Sequence, residues 1–137
     1  MARTLTAVIS TGAGRQAPAD LVLPDVGLGY AEGGAVTQAT SRATGVTVHA
    51  LCGAITTDAT SLAAGAEATC TVTNNKVAVG DVVIVCARSG QTAGTSVPAV
   101  TAVADGSFGL TLTNQHASTA DTGAMIVNFI VLKAVSA

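Results

Sequence analysis

The sequence predicts an all-β protein: one β-sandwich or jelly-roll-like domain of seven to eight short strands over residues 35–137, behind an irregular N-terminal arm or lead-in over residues 1–34. Three observations carry that expectation. Short apolar or alternating runs recur at roughly the 8–12-residue spacing of sandwich and barrel strands. Turn pairs such as Asn74-Asn75, Gly80-Asp81 and Asp105-Gly106 separate them. No stretch keeps a helical period over a useful length.

Composition narrows the class further. The 137 residues suit one domain with a tail. Apolar residues make up 49% and aromatic residues only 2%, so Val, Ile, Leu and Ala must build the core. Charged residues are 10% of the chain, its net charge is -2, and the six cations are scattered. Nucleic acid is therefore not an expected partner, because phosphate neutralisation needs several Lys or Arg on one surface. The longest apolar run, Gly123 to Ala137, is broken by Asn128 and Lys133 and falls short of the ~18–20 residues of a spanning helix, so no membrane is expected either. The N-terminus makes a poor secretory signal. A mean hydropathy of +0.56 with so little charge points instead to a protein that hides surface in an assembly.

Taken in order, Thr4 to Ile9 reads as a short strand, and Thr11 to Gly34, with Pro18, Pro24 and many Gly and Ala, reads as irregular. Val36 and Gln38 open the β pattern, Ser41 to Gly45 turns it, and Val46 to Thr56 reads as one strand bent at Gly53. Thr57 to Gly65 reads as a loop. Ala66 to Thr73 alternates, with Ala68, Cys70 and Val72 inward and Glu67, Thr69, Thr71 and Thr73 outward. Gly80 to Arg88 is apolar on both alternating sets and reads as a central strand. Val97 to Ala104 follows, with Pro98 placing its start at an edge or outside the hydrogen-bonded ladder. Asp105-Gly106 then calls for a tight hairpin into Ser107 to Thr113, whose Phe108, Leu110 and Leu112 share a face. Asn114 to Gly123 is a polar loop, and Ala124 to Ala134 is apolar on both faces except Asn128 and Lys133.

The two strands that are apolar on both faces need cover that a two-layer sandwich does not supply. A symmetric homo-oligomer is one source. A loop or the N-terminal arm folded over them is the other.

No constellation of catalytic or metal-binding residues stands out. His49 and Cys52 lie three apart in a strand and so diverge. Cys52, Cys70 and Cys86 fall among Val, Ala and Ile and read as core thiols in a reduced compartment, although a Cys52–Cys86 disulfide is geometrically conceivable. His116 sits in a polar loop near Asp121 without a nucleophile motif. Gly27 to Gly33 lacks the spacing and context of a nucleotide loop. The expectation is no enzyme, no cofactor, no metal and no small-molecule substrate.

Several phrases together resemble a known group: Val36-Thr37-Gln38-Ala39-Thr40-Ser41-Arg42-Ala43-Thr44-Gly45-Val46-Thr47, then Thr71-Val72-Thr73-Asn74, Asp81-Val82-Val83-Ile84-Val85, Thr101 to Phe108, and Asn128-Phe129-Ile130-Val131-Leu132-Lys133. In this order they resemble small β-rich virion proteins of tailed bacteriophages, of the capsid decoration (cement) or fibre type. The resemblance covers residues 35–134 and leaves the first third unmatched. It implies a non-enzymatic virion structural protein, made in the host bacterial cytoplasm, most often a homotrimer seated on the capsid surface with the major capsid protein as its partner. On that reading Val83, Val85, Ile126, Ile130 and Leu132 form the oligomer interface. Arg3, Leu5, Val8, Arg15, Leu21 and Leu23 are the arm residues expected to grip capsid. The alternative is a tail-fibre or baseplate module whose loops at 89–96 and 114–123 contact a host receptor; the absence of aromatics in those loops weighs against a glycan.

Overall fold

A computed structural model describes residues 30, 32–92 and 94–134. Eight strands alternate and pair along this chain: Gly34–Thr37 (β1), Val46–Thr47 (β2), Cys52–Thr56 (β3), Glu67–Thr73 (β4), Val82–Ser89 (β5), Ser96–Ala104 (β6), Ser107–Asn114 (β7) and Ile126–Leu132 (β8). They form two four-stranded sheets, ordered β1-β3-β8-β5 and β2-β4-β7-β6. The described residues contain no helix. The all-β sandwich expected from the strand spacing is the fold observed.

The first four strands step back and forth between the sheets, so β1 meets β3 and β2 meets β4 in parallel, while every other pairing is antiparallel. Alternation then sorts the side chains. From the first sheet Ile55, Val127, Phe129 and Val131 turn inward, and from the second Val72, Phe108, Leu110 and Leu112 do so; all are buried in one cluster. Phe108 and Phe129 touch across the two layers, with ring centroids 5.8 Å apart and tilted by 47°. That tilted contact is a favoured aromatic geometry and ties the central strands β7 and β8 together.

Asp105-Gly106 closes the β6–β7 hairpin as its composition demands. Ala104 pairs with Ser107, and Gly106 takes a φ of 78°, which glycine adopts without the Cβ clash of other residues. The turn is also fixed from outside. Gly106 N donates to Val77 O, Asn74 N donates to Gly106 O, and Val79 N donates to Asp105 Oδ1.

Two readings of the chain are corrected by the topology. Residues 46–56 are not one bent strand but two, in different sheets: Val48 N still bonds Thr73 O beside β4, while Asn74 Nδ2 bonds Ala50 O and holds the crossing chain. The crossing shifts the alternation, so Val46 and Val48 face the core from one side and Ile55 from the other. Gly53 is not a bend. It sits opposite Gly34 in the β1–β3 pairing, where a Cβ would run into the Gly34 carbonyl. The second correction concerns β5, which lies at the edge of its sheet rather than at the centre. Its doubly apolar pattern reflects an inner face on the core and an outer face that nothing else in the described chain covers.

Candidate subunit interface and the polar ends of the sandwich

The outer faces of the two sheets differ in chemistry. On the β2-β4-β7-β6 sheet, Glu67, Thr69, Thr71 and Thr73 of β4 are exposed. Thr111 of β7 lies between neighbours there, with its Oγ1 2.7 Å from Thr69 Oγ1 and 3.0 Å from Thr101 Oγ1. Hydroxyl pairs of this kind satisfy a wet sheet face.

The β1-β3-β8-β5 sheet presents no such ladder. On β5 the outward residues are Val82, Ile84 and Cys86; on β8 they are Ile126, Asn128, Ile130 and Leu132. Registers place Val82 beside Leu132, Ile84 beside Ile130, and Cys86 beside Asn128. The row continues over β3 and β1, with Asn128 beside Ala54 and Ala54 beside Ala35. Val82 is 53% exposed, Ile84 49% and Leu132 39%. These strands carry no ionisable group stronger than a thiol on that face until Arg88, which stands at the bulge ending β5. Strand spacing and length give the face on the order of 400 Å² of projected area. A patch of that size matches the largest apolar patch on an ordinary monomer, which is often a functional one.

Of the residues expected at an oligomer contact, Ile126, Ile130 and Leu132 therefore lie on this face. Val83 and Val85 do not. They are half-buried and pack against the core cluster, so the outward set of β5 is the other parity, Val82, Ile84 and Cys86. Sequence alternation offers two equivalent apolar sets in β5, and only the direction of the neighbouring strands distinguishes them. The expected arm residues Arg3, Leu5, Val8, Arg15, Leu21 and Leu23 lie outside the described residues.

The cysteines are corrected as well. Cys70 is a core thiol, 5% exposed, and burial pushes its pKa up. Cys52 is half-buried and Cys86 exposed, both on the outer face of their sheet. Cys52 falls beside Ile130 and Cys86 beside Asn128, so the two are separated by β8 and offset along it.

Each end of the sandwich carries a polar cluster. At one end, Arg42 and Asp121 are 3% and 0% exposed and their Nη2 and Oδ1 atoms lie 3.7 Å apart. Arg42 also donates through Nε to Thr60 O at 2.6 Å and through Nη2 to Gly123 O at 2.8 Å. Asp121 Oδ1 accepts from Thr92 N and Gly123 N, both at 3.0 Å. Loops 57–62, 90–96 and 114–123 are thus held by one buried ion pair, which the scattered positions of Arg42 and Asp121 in the sequence concealed. Burial alone would raise the Asp121 carboxyl. The Ser96 hydroxyl, the Thr92 and Gly123 amides and Arg42 outweigh that effect and hold it at about 2. Ser96 Oγ favours the ionised form by proximity without the geometry of a full hydrogen bond.

At the other end, Lys133 Nζ, Ala78 N and Ala134 N converge on Asp81, and Lys133 Nζ also donates to Lys76 O. Lys133 is the leading cause that lowers Asp81, also to about 2. Both carboxylates have folded pKa values below the ordinary 3.8. Their contribution to stability is therefore complete above pH 3.8 and lost as the pH falls through about 2. Urea unfolding across that range is expected to show stability that is flat from neutral pH to about pH 4 and falls between pH 4 and 2. Asp81→Asn should flatten that fall.

The remaining polar residues have local roles. His116 Nδ1 accepts from Ser118 N and Thr119 N and staples its own loop. His49 Nδ1 accepts from Asn75 N. An open groove of about 470 Å³ beside it is lined by Tyr30, Glu32, Leu51 and Lys76 among others, and Tyr30 Oη there donates to Val131 O. Among the described residues no three His, Cys, Asp or Glu side chains gather at metal-binding range. Comparison with family models, curated proteins and solved structures returns no match for the chain.

Proposed function

We propose that this protein is a non-enzymatic structural subunit that self-associates through the outer face of its β1-β3-β8-β5 sheet, and that it decorates and stabilises an assembled phage capsid. The observation that carries self-association is the uncharged, exposed apolar face of that sheet beside a hydroxyl-lined opposite sheet. The resemblance to phage virion proteins supplies the setting, and its phrases fall on β1, β2, β4, β5, the β6–β7 hairpin and β8. A homotrimer is the stoichiometry that the resemblance favours. Binding assembled shell and not free capsid subunits would stabilise the shell by mass action.

A second reading has its own support. Gln115 N donates to Thr95 O, and Thr122 N donates to Thr92 Oγ1, so the loops at 89–96 and 114–123 form one polar cluster at one end of the sandwich. That arrangement suits the tip of a tail-fibre or baseplate module. Copy number in purified particles separates the two. A number near that of the major capsid protein is expected for decoration, and a few copies per particle would favour the tail. Absence from the particle would overturn both.

A further inference from the structure

We propose that the buried Arg42–Asp121 pair holds one internal water molecule, shared with the Ser96 hydroxyl, as a fixed part of the loop end of the sandwich. The inference is independent of how the protein associates.

Three polar atoms carry it. Among the described residues, Arg42 Nη1, Asp121 Oδ2 and Ser96 Oγ are buried and have no hydrogen-bond partner. All three side chains belong to residues that are nine-tenths or more buried. Buried polar groups are almost always paired, so three orphans on one ion pair and its neighbour call for a shared partner. Ser96 belongs with the pair because its hydroxyl is one of the influences that keep Asp121 ionised.

Direct closure of the pair does not supply that partner. A charge-assisted N–H···O bond spans about 2.7–2.9 Å, whereas Arg42 Nη2 lies 3.7 Å from Asp121 Oδ1. Backbone groups pin each residue where it stands. Arg42 donates through Nε to Thr60 O and through Nη2 to Asp121 O and Gly123 O. Asp121 Oδ1 accepts from Thr92 N and Gly123 N, and Ser96 is fixed opposite Asn114 at the start of β6. A polar separation beyond about 3.5 Å is where a bridging water belongs.

The chemistry of the three atoms identifies the occupant. Nη1 can only donate, the ionised Oδ2 can only accept, and Oγ can do either. The bridging species must therefore accept and donate at once, and it must be small enough for a site closed to solvent. Chloride has no proton for Asp121, and a metal or ammonium cation has no lone pair for Arg42. Water has both and makes about three hydrogen bonds in such sites. It accepts from Nη1, donates to Oδ2 and completes its set with Oγ. One water thus joins the turn after β1, the start of β6 and the β7–β8 loop.

A crystal structure of the full chain at a resolution that shows ordered solvent tests the site. The expected result is one water at about 2.5–3.2 Å from all three atoms. Ser96 Oγ or Arg42 Nη1 bonded directly to Asp121 Oδ2, with no shared solvent peak, overturns the assignment, and so does an ion in that place. In solution, water oxygen-17 relaxation dispersion compares the parent with Ser96→Val, whose larger apolar side chain fills the water position. The amplitude from long-lived water is expected to fall by one molecule. An unchanged amplitude in a folded Ser96→Val chain overturns the proposal, and the parent crystal structure decides it alone where the valine variant does not fold.

Discussion

Ile84→Asp is expected to abolish the self-association proposed above and leave folded monomers. Ile84 is 49% exposed on the outer face of β5 and pairs with Ile130 of β8. An aspartate there remains in water in the isolated chain, where a surface substitution is worth about ±0.5 kcal/mol. Against a second apolar face the same carboxylate loses its hydration, at a cost of several kcal/mol. Association should weaken by roughly 100-fold or more while the unfolding midpoint of the monomer stays near its original value. Val85→Asp provides the contrast. Val85 lies one residue further on and packs against the core, so its replacement is expected to unfold the chain. An Ile84→Asp protein that still associates, or that unfolds, would show that the parity of β5 has been assigned to the wrong face. Sedimentation and circular dichroism on the two variants read both outcomes.

Arg42→Met should produce the largest loss of stability of any single change away from the apolar core. It removes the cation beside Asp121 and leaves a carboxylate that is 0% exposed without its charge partner. Breaking one side of a buried pair costs about 3–5 kcal/mol. For a domain of this size that corresponds to a fall in melting temperature on the order of 10–20 °C. The effect reaches beyond the pair, because Thr60 O and Gly123 O lose their donor and three loops lose a common anchor. The double variant Arg42→Met, Asp121→Asn is expected to be more stable than Arg42→Met alone, since the neutral amide no longer sits as an isolated charge. Thermal unfolding of the parent, the single and the double variant measures the coupling.

The strand inventory could be read from the chain because its signals are local. Alternation in Ala66 to Thr73, the Asp105-Gly106 turn and the Phe108/Leu110/Leu112 set each depend on a few neighbouring residues, and each appears in the fold as its pattern requires. What could not be read depends on contacts distant in sequence. The split of residues 46–56 into β2 and β3 turns on Asn74 and Thr73, more than 20 positions away. The edge position of β5 depends on the sheet order, and a run that is apolar on both faces looks the same whether the second face is covered by this chain or by another. The candidate interface was thus visible as a surplus of apolar residues, but its parity in β5 was not. Arg42 and Asp121 gave no signal at all, since 79 residues separate them and each stands in an ordinary polar loop. Cys86 was misplaced for the same reason as Val83 and Val85, and its exposure now makes it a natural reporter on the face it occupies.

The central claim is that the outer face of the β1-β3-β8-β5 sheet is covered by another copy of this chain. Sedimentation equilibrium of the full protein at micromolar concentration tests it directly. The expected result is a mass that is an integral multiple of 13.3 kDa and declines toward that value on dilution. A single 13.3 kDa species at every micromolar concentration would contradict it.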